Sequence, residues 1–188
     1  MIQEQSDLKS VAKGGTTVVE SILNDKKILA VDDEPDVLNL LEEEILAAAP
    51  NCIFVRATEY QTAMQWVVSL TYNLVILDIM GVRGFDILSL VMRRPFPFPV
   101  VMLTAHALDP QALRRSIEMG ARAYLPKEKL GEIVPFLEDV LRYENLPGWA
   151  RLFQNLLGFF NAKWGENWKK TDEKFWKEFD EKIAFIKR

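Results

Sequence analysis

The sequence predicts an α/β fold, a doubly wound, five-stranded parallel sheet with helices on both faces, followed by a C-terminal helical hairpin. Five short apolar runs recur between residues 27 and 126. Several are apolar at consecutive positions, as expected for strands buried on both faces. Segments with helical periodicity separate the runs, and strands that alternate with helices favour a parallel sheet.

The predicted strands all have the length of ordinary buried strands, and the segments between them are long enough for crossover helices. The five runs are KILAV (27–31), CIFVRA (52–57), NLVILD (73–78), FPVVML (98–103) and ARAYLP (121–126).

Five helices are predicted between and after these strands. Pro35 suits the first turn of the first helix, and the third is predicted over Gly84–Met92. Asp109 caps the fourth helix, which Gly120 ends. Apolar residues at helical spacing define the faces of the first, second and fifth helices: Val37, Leu38, Leu41 and Ile45; Ala63, Val67 and Leu70; and Leu130, Ile133, Val134, Leu137, Val140 and Leu141.

Two segments flank the predicted sheet domain, which we place at residues 26–144. Residues 1–25 are predicted to be a flexible leader, with a candidate short helix through Val18, Val19, Ile22 and Leu23. Residues 145–188 follow a break at ENLPGW and hold ten of the chain's 20 aromatic residues. Helical spacing on both sides of Gly165 predicts a hairpin there, with the apolar residues Leu152, Phe153, Leu156, Phe160, Trp168, Phe175, Phe179, Ile183 and Ile186.

The composition bounds the class of protein. A hydrophobic content of 49% excludes a disordered chain, and a net charge of −4 argues against binding to nucleic acid. One cysteine, Cys52, excludes an internal disulfide and suits a reducing compartment. The polar leader and the absence of a long apolar run argue against a secretion signal and a membrane span, so we expect a cytoplasmic protein.

The aromatic extension needs a surface to pack on, because so many exposed rings would favour aggregation. Its own sheet domain, a second copy, another protein or a membrane surface could each cover it. Acidic residues interleaved with its lysines weaken the membrane alternative. Intramolecular or homodimer packing is the expectation that we favour.

Polar side chains follow four of the predicted strands. Asp32 and Asp33 follow the first strand, Asp78 ends the third, Thr104 follows the fourth and Lys127 the fifth. Because ligands of a doubly wound sheet bind beyond the carboxyl ends of its strands, we expect these side chains to converge. Gathered carboxylates favour Mg²⁺, which would offset their mutual repulsion.

This set of residues predicts phosphoryl transfer. With a metal neutralising the site, Asp78 can act as a carboxylate nucleophile toward an incoming phosphoryl group. Thr104 and Lys127 would then stabilise the charge on the transferred oxygens.

The segments VDDEP, VILDIM, MLTAH and YLPK together resemble the receiver domain of bacterial two-component response regulators, over about residues 26–144. The resemblance implies a flavodoxin-like sheet with strand order 2-1-3-4-5. It also implies reversible aspartyl phosphorylation, with Mg²⁺ as cofactor and a sensor histidine kinase or phosphotransfer protein as donor. A signalling protein of this kind is not an enzyme beyond self-phosphorylation from a donor and autodephosphorylation.

The resemblance also assigns roles to individual residues. Asp78 is the phosphoacceptor and binds Mg²⁺ together with Asp33, while Asp32 assists through water and the backbone carbonyl of Met80 completes the protein ligands. Thr104 and Lys127 contact the phosphoryl group.

Further expectations concern signalling and the last strand. Tyr124 matches an aromatic residue that switches rotamer together with the Thr104 hydroxyl, and His106 is a candidate modulator of phosphoryl loss. The segment Leu125–Pro126–Lys127 resembles one with a cis peptide bond before proline. The fourth helix, fifth strand and fifth helix would form the face that passes the signal to a downstream protein or a second copy.

The loop after the acceptor departs from the family pattern. Family members usually carry a Met-Pro pair there and a glycine eight positions after the aspartate. Here Gly84 follows Asp78 by six positions, and Gly81 stands near the place of the missing proline. The loop is therefore two residues shorter, which motivates an alternative function, a receiver-like scaffold for interaction or dimerisation that no longer switches. A metal-dependent phosphohydrolase is less favoured, because Met80 stands where such an enzyme would place a second acid.

Overall fold

The computed structural model describes residues 20–105, 109–142 and 149–186. Five strands form one parallel sheet in the order β2-β1-β3-β4-β5, so both the predicted fold class and the strand order are confirmed. The strands are β1 Lys27–Val31, β2 Ile53–Ala57, β3 Leu74–Asp78, β4 Val100–Thr104 and β5 Ala123–Pro126.

Helices follow every strand, as the alternating pattern predicts. Five belong to the sheet domain and two to the C-terminal hairpin. They are α1 Pro35–Ala48, α2 Tyr60–Ser69, α3 Gly84–Met92, α4 Pro110–Glu118, α5 Ile133–Arg142, α6 Trp149–Trp164 and α7 Glu173–Ile186. Among the described residues, no helix is long and apolar enough to cross a membrane.

The core lies on both sides of the central strands. Every residue of β3 and β4 is buried, which explains why their apolar residues are consecutive instead of alternating. The register places Asp78 of β3 beside Leu103 of β4, and Thr104 beside Pro126 of β5. The carboxyl ends of three neighbouring strands therefore meet at one edge of the sheet.

The structure differs from the sequence expectations at two helix starts. Leu130 belongs to a 3₁₀ helix, Lys127–Glu132, that precedes α5, and Trp168 belongs to another, Trp168–Asp172, that precedes α7. In both places the chain turns sharply, toward α5 after β5 and toward α7 after Gly165, whose φ is +80°. The tighter 3₁₀ geometry suits such short turns.

The expectation of a cis peptide bond before Pro126 is wrong, because all described peptide bonds are trans. Strand β5 runs through Pro126 with φ −65° and ψ 139°, an extended conformation that the ordinary trans bond allows.

Residues 20–25 pack against the sheet domain. Leu23 is fully buried, and the Ser21 hydroxyl donates a 2.6 Å hydrogen bond to Glu138 of α5. Residues 1–19 of the predicted leader, with Val18 and Val19, lie outside the described residues.

The C-terminal hairpin lies over one side of the sheet domain. Helix α6 packs against β5, and the 3₁₀ helix Trp168–Asp172 packs against α4. The rings of the hairpin pack closely on one another; Phe160 and Trp164, for example, stack with centroids 4.7 Å apart. The buried rings of this cluster, which we call the hairpin core, are Phe153, Phe160, Trp168, Trp176 and Phe179.

Candidate functional site

Asp78 lies at the end of β3 and is only 5% exposed. Its Oδ2 accepts hydrogen bonds from the backbone N–H groups of Met80 at 2.8 Å and Gly81 at 3.1 Å. The loop after β3 therefore turns back on the carboxylate and fixes its orientation. Oδ1, the other oxygen, lies 3.0 Å from Nζ of Lys127.

Lys127, which follows β5, joins three carboxylates. Its Nζ lies 2.8 Å from Asp32 Oδ2, 2.7 Å from Glu34 Oε1 and 3.0 Å from Asp78 Oδ1. Burial by itself would lower the pKa of Lys127, but the hydrogen bonds to the three acids outweigh it and raise that pKa above its usual value. The ammonium therefore stays charged and neutralises part of the acidic cluster.

Asp32 is the most deeply buried acid of the site, at 1% exposed. Its Oδ1 accepts a 3.0 Å hydrogen bond from the Glu34 N–H. Oδ2 has no hydrogen bond of good geometry among the described residues, although the Lys127 ammonium faces it as an ion-pair partner. Burial raises the pKa of Asp32, and the contacts with Lys127 and the Glu34 N–H only partly oppose this rise.

Asp33 is exposed and extends over the loop after β3. A Cβ atom at position 81 would lie 1.8 Å from Asp33 Oδ1, so the carboxylate occupies the space that any side chain at Gly81 would need. The glycine therefore lets Asp33 lie close to the backbone that follows Asp78. A proline or methionine at this position would displace the Asp33 side chain from this place.

In their chemistry, the carboxylate and carbonyl oxygens of these residues suit Mg²⁺, which prefers hard oxygen ligands. The buried Oδ2 of Asp32 faces a cation already, the Lys127 ammonium. In the part of the chain that the structure describes, no three acidic, histidine or cysteine side chains converge closely enough to hold a metal as placed. The Met80 carbonyl accepts a 3.3 Å hydrogen bond from the Arg83 N–H, which leaves its second lone pair for a ligand.

The short loop brings the start of α3 against Asp78. Gly84 donates a 3.1 Å backbone hydrogen bond to Ile79, and a Cβ atom at Gly84 would lie 2.0 Å from the Asp78 carbonyl oxygen. Arg83, just before, takes a left-handed conformation with φ 55°. Only glycine at position 84 fits this approach, which explains why the two-residue shortening keeps the glycine that begins the helix.

Thr104 and Tyr124 connect the strand ends to the hairpin. Both are 1% exposed, and their side chains are hydrogen-bonded to each other. Burial, with a smaller contribution from Asp109, raises the pKa of Tyr124, and the hydrogen bond with Thr104 opposes the rise. The Tyr124 ring packs against Phe160 of α6, with centroids 6.2 Å apart and planes at 62°.

The strand ends thus bring together Asp32, Asp78 and Lys127 by direct contact, with Thr104 on the neighbouring strand. His106, the candidate modulator, lies outside the described residues. Sequence reasoning assigned no role to Glu34, which is the closest carboxylate to Lys127. The sequence feature that could have indicated this contact is the place of Glu34 as the third consecutive acid after β1.

Comparison with known proteins finds a family match over most of the sheet domain. The family model of the response regulator receiver domain matches residues 28–137. The hairpin, residues 149–186, lies beyond this match. No curated protein sequence matches the chain.

Solved receiver structures resemble the sheet domain. A response regulator receiver domain from Rhodospirillum rubrum is 26% identical, with a TM-score of 0.54, covering 64% of this chain and 94% of its own. A response regulator from Hahella chejuensis is 23% identical, with a TM-score of 0.57, covering 65% of this chain and 99% of its own. The first likeness is one of sequence and fold, and the second is one of fold.

Proposed function

This chain belongs to the response regulator receiver domain family, and from that premise we propose that it is a cytoplasmic phosphoacceptor with Asp78 as the acceptor. Receiver domains of the family take part in phosphoacceptor signalling with histidine kinases or phosphotransfer proteins. The observation that carries the proposal is the asymmetric environment of the Asp78 carboxylate. Two backbone N–H groups hold Oδ2, while Oδ1 faces the Lys127 ammonium.

This asymmetry suits nucleophilic attack by one oxygen. The fixed Oδ2 orients the carboxylate, so Oδ1 can donate its electron pair to phosphorus as the bond between phosphorus and the donor group breaks. Lys127 lies where it can stabilise the negative charge on the transferred oxygens, and Thr104 supplies a hydroxyl donor from the next strand. Proximity and charge stabilisation are the contributions that phosphoryl transfer needs most.

Mg²⁺, when bound, would neutralise the acids and the transferred oxygens. Asp33 and Asp78 would hold it directly, Asp32 would assist through water, and the Met80 carbonyl would complete the set. The buried, raised-pKa carboxyl of Asp32 is consistent with a site that a cation stabilises.

The output would be a protein–protein interaction. The face formed by α4, β5 and α5 would pass the signal on, together with the C-terminal hairpin, to a downstream protein or to a second copy. Tyr124 is the proposed switch residue, because it contacts both Thr104 and the hairpin.

Acetyl phosphate with Mg²⁺ tests the proposal. We expect intact-mass spectrometry to detect one added phosphoryl group in the wild-type protein and none in Asp78→Asn. Asp86→Asn is a matched control, because Asp86 is an exposed acid of α3 that pairs with Arg83; it should be phosphorylated normally. Absence of the mass shift in the wild type, or its persistence in Asp78→Asn, would refute the proposal.

The alternative function is a scaffold that does not switch. The short loop favours it, because Gly84 leaves no free space beside the Asp78 backbone for rearrangement. In that case the solution mass and the hairpin contacts would be the same with and without Mg²⁺ and beryllofluoride, and Asp78→Asn would leave assembly unchanged. A change in either measurement would exclude the scaffold.

A further inference from the structure

The two edges of the sheet differ in what covers them. Helix α6 of the hairpin packs against β5, the strand at one edge. At the other edge, β2 pairs only with β1 among the described residues, so its outer side carries no further strand. An edge strand of this kind presents unpaired backbone N–H and C=O groups, which can pair with another strand.

Two residues of β2 direct their backbone groups out of the sheet. The Ile53 N–H donates a 2.8 Å hydrogen bond to the carbonyl just before β1, and the Ala57 carbonyl accepts one of 3.1 Å from the N–H just after β1. Because the backbone groups of successive strand residues alternate between the two sides, Phe54 and Arg56 direct theirs away from β1. No other described residue forms a backbone hydrogen bond with these outward groups.

The side chains of β2 are apolar except for one, whose charge is already paired. Arg56 lies on the α1 side, where its Nη1 is 3.1 Å from Glu42 Oε2. Phe54, two positions earlier, lies on the same side and is only partly buried. Ile53 and Val55 point to the opposite side, and Ile53 is 55% exposed. The edge therefore lacks the unpaired charges and prolines with which sheets usually prevent edge pairing.

The outward groups match a second copy of the same strand in one antiparallel register. A two-fold axis at Val55 places Phe54 of each copy opposite Arg56 of the other, so the outward residues form two hydrogen-bonded pairs. An axis at Arg56 would place two arginines directly opposite each other, which is unfavourable. An axis at Phe54 would place Arg56 opposite Cys52, whose N–H already donates to the Ala49 carbonyl. Only the axis at Val55 uses every outward group.

This register also matches the side chains. On the α1 side, each Arg56 guanidinium would lie beside the Phe54 ring of the second copy, a favourable pairing of a cation with an aromatic ring. On the other side, Val55 would face Val55 of the second copy, and the exposed Ile53 would face Ala57. The edge is therefore complementary to itself in hydrogen bonding, in apolar surface and in charge.

We propose that two copies of this chain pair through β2 in this antiparallel register and form one continuous sheet. The two-fold axis closes the pairing, so assembly through this edge ends at a dimer. The pairing uses no residue of the strand-end site, and it therefore goes beyond the proposed phosphoacceptor function without depending on it. Two five-residue strands bury less area than a standard interface, so we expect a weak dimer that dissociates on dilution.

Cross-linking tests the register. In a Cys52→Ser background, which removes the natural thiol, Val55→Cys places one thiol on each side of the two-fold axis. The two Cα atoms would form a non-hydrogen-bonded pair about 4.5 Å apart, within the range of a disulfide. With oxidised glutathione as the oxidant, which is reduced as the disulfide forms, we expect non-reducing electrophoresis to show a disulfide-linked dimer.

Ile53→Cys in the same background is the matched control, because Ile53 is the more exposed of the two side chains. In the proposed register, position 53 of one copy lies about 13 Å along the strands from position 53 of the other, too far for a disulfide. We expect at least about tenfold less dimer from this variant than from Val55→Cys. Equal cross-linking of the two variants, or no cross-linking of Val55→Cys, would overturn the inference.

Sedimentation velocity of the full chain over a concentration series tests the assembly itself. We expect the wild-type mass to rise from monomer toward dimer. Val55→Lys, which places two ammonium groups opposite each other, should weaken the dimer more than about tenfold, with circular dichroism as the check on folding. Leu40→Lys, at an exposed apolar residue of α1, should dimerise like the wild type. A wild-type chain that stays monomeric up to about 1 mM, or equal dimerisation of the two lysine variants, would contradict pairing through β2.

Discussion

The strand-end site and the hairpin core are both buried, but opposite kinds of side chain fill them. At the strand ends, Asp32 and Asp78 lie within 3.0 Å of a single ammonium and are almost closed off from water. In the hairpin, aromatic rings pack on one another. Trp176, for example, contacts Phe153, Trp168 and Phe179. One region buries charge and the other buries apolar surface.

This difference separates function from stability. Burial of charge costs free energy even when the charges are paired, so we expect the strand-end acids to reduce the stability of the fold while they form the proposed cation and phosphoryl site. Burial of rings stabilises, and the hairpin, which has no sheet of its own, depends on it. Removing a buried group should therefore lower stability in the hairpin, and in one case raise it at the site.

The largest effect is expected for Trp176→Ala. Trp176 is 2% exposed at the centre of the hairpin core, and truncation of a buried tryptophan costs about 4 kcal/mol. We expect the hairpin to unfold while the sheet domain stays folded, which circular dichroism and hydrogen exchange can follow separately. A single cooperative transition of the whole chain would break the comparison, because the two regions would then share one stability.

Gly84→Ala should have the next largest effect, because the contact there involves backbone that cannot move aside. The new Cβ would lie 2.0 Å from the Asp78 carbonyl oxygen, so we expect a loss of about 3 kcal/mol in urea unfolding. Gly131→Ala is the matched control, since nothing lies within 4 Å of its Cβ position. Equal stabilities of the two variants would contradict the close approach of α3 to Asp78.

Lys127→Met should destabilise the protein by about 2 kcal/mol in the absence of divalent cations, because Asp32 and Asp78 lose the charge that neutralises them. Adding Mg²⁺ should restore part of the loss. Lys129→Met serves as the control, because Lys129 pairs with the exposed Glu132. If the Lys127 variant were as stable as the wild type in urea, the ammonium would not be the neutralising charge.

The smallest effect has the opposite sign. Asp32→Asn should stabilise the metal-free protein by about 1 kcal/mol at pH 7, since it removes a charge whose burial is unfavourable. The pKa of Asp32 is raised in the folded protein. Its contribution to the free energy of unfolding of the wild type therefore increases as the pH falls through that pKa and decreases as the pH rises. The advantage of the variant should therefore vanish toward acid pH.

Urea unfolding over a pH series measures this advantage, and Asp36→Asn, at an exposed acid in the first turn of α1, is the control. An advantage that grew toward acid pH would reverse the sign and contradict the raised pKa of Asp32.

Local pattern was sufficient to predict the sheet. The apolar runs at β3 and β4 are consecutive because both faces are covered, and Gly84–Met92 is recovered with its bounds unchanged. Convergence of Asp32, Asp78 and Lys127 also follows from sequence, because parallel strands bring their carboxyl ends to one edge.

Other features depend on contacts between distant segments. Helical spacing selected Phe175 and Phe179, whereas Trp176 is more deeply buried than either of them. Phe179 is buried as the spacing predicts, and Trp176, three positions earlier, lies on the same face of the helix. The contact of Glu34 with Lys127, and the packing of Phe160 on Tyr124, join residues far apart in the chain that no local pattern relates.

The hairpin core also makes the protein its own optical probe. Of the five tryptophans, only Trp66 lies in the sheet domain, so the ultraviolet emission of the chain comes mainly from α6, α7 and the turn between them. The Lys169 ammonium lies 5.8 Å from the ring centroid of Trp168 and 6.0 Å from that of Trp176, so movement of this turn changes the electric field at both indoles. The wavelength of tryptophan emission from the unlabelled protein should therefore report whether the hairpin stays packed or moves.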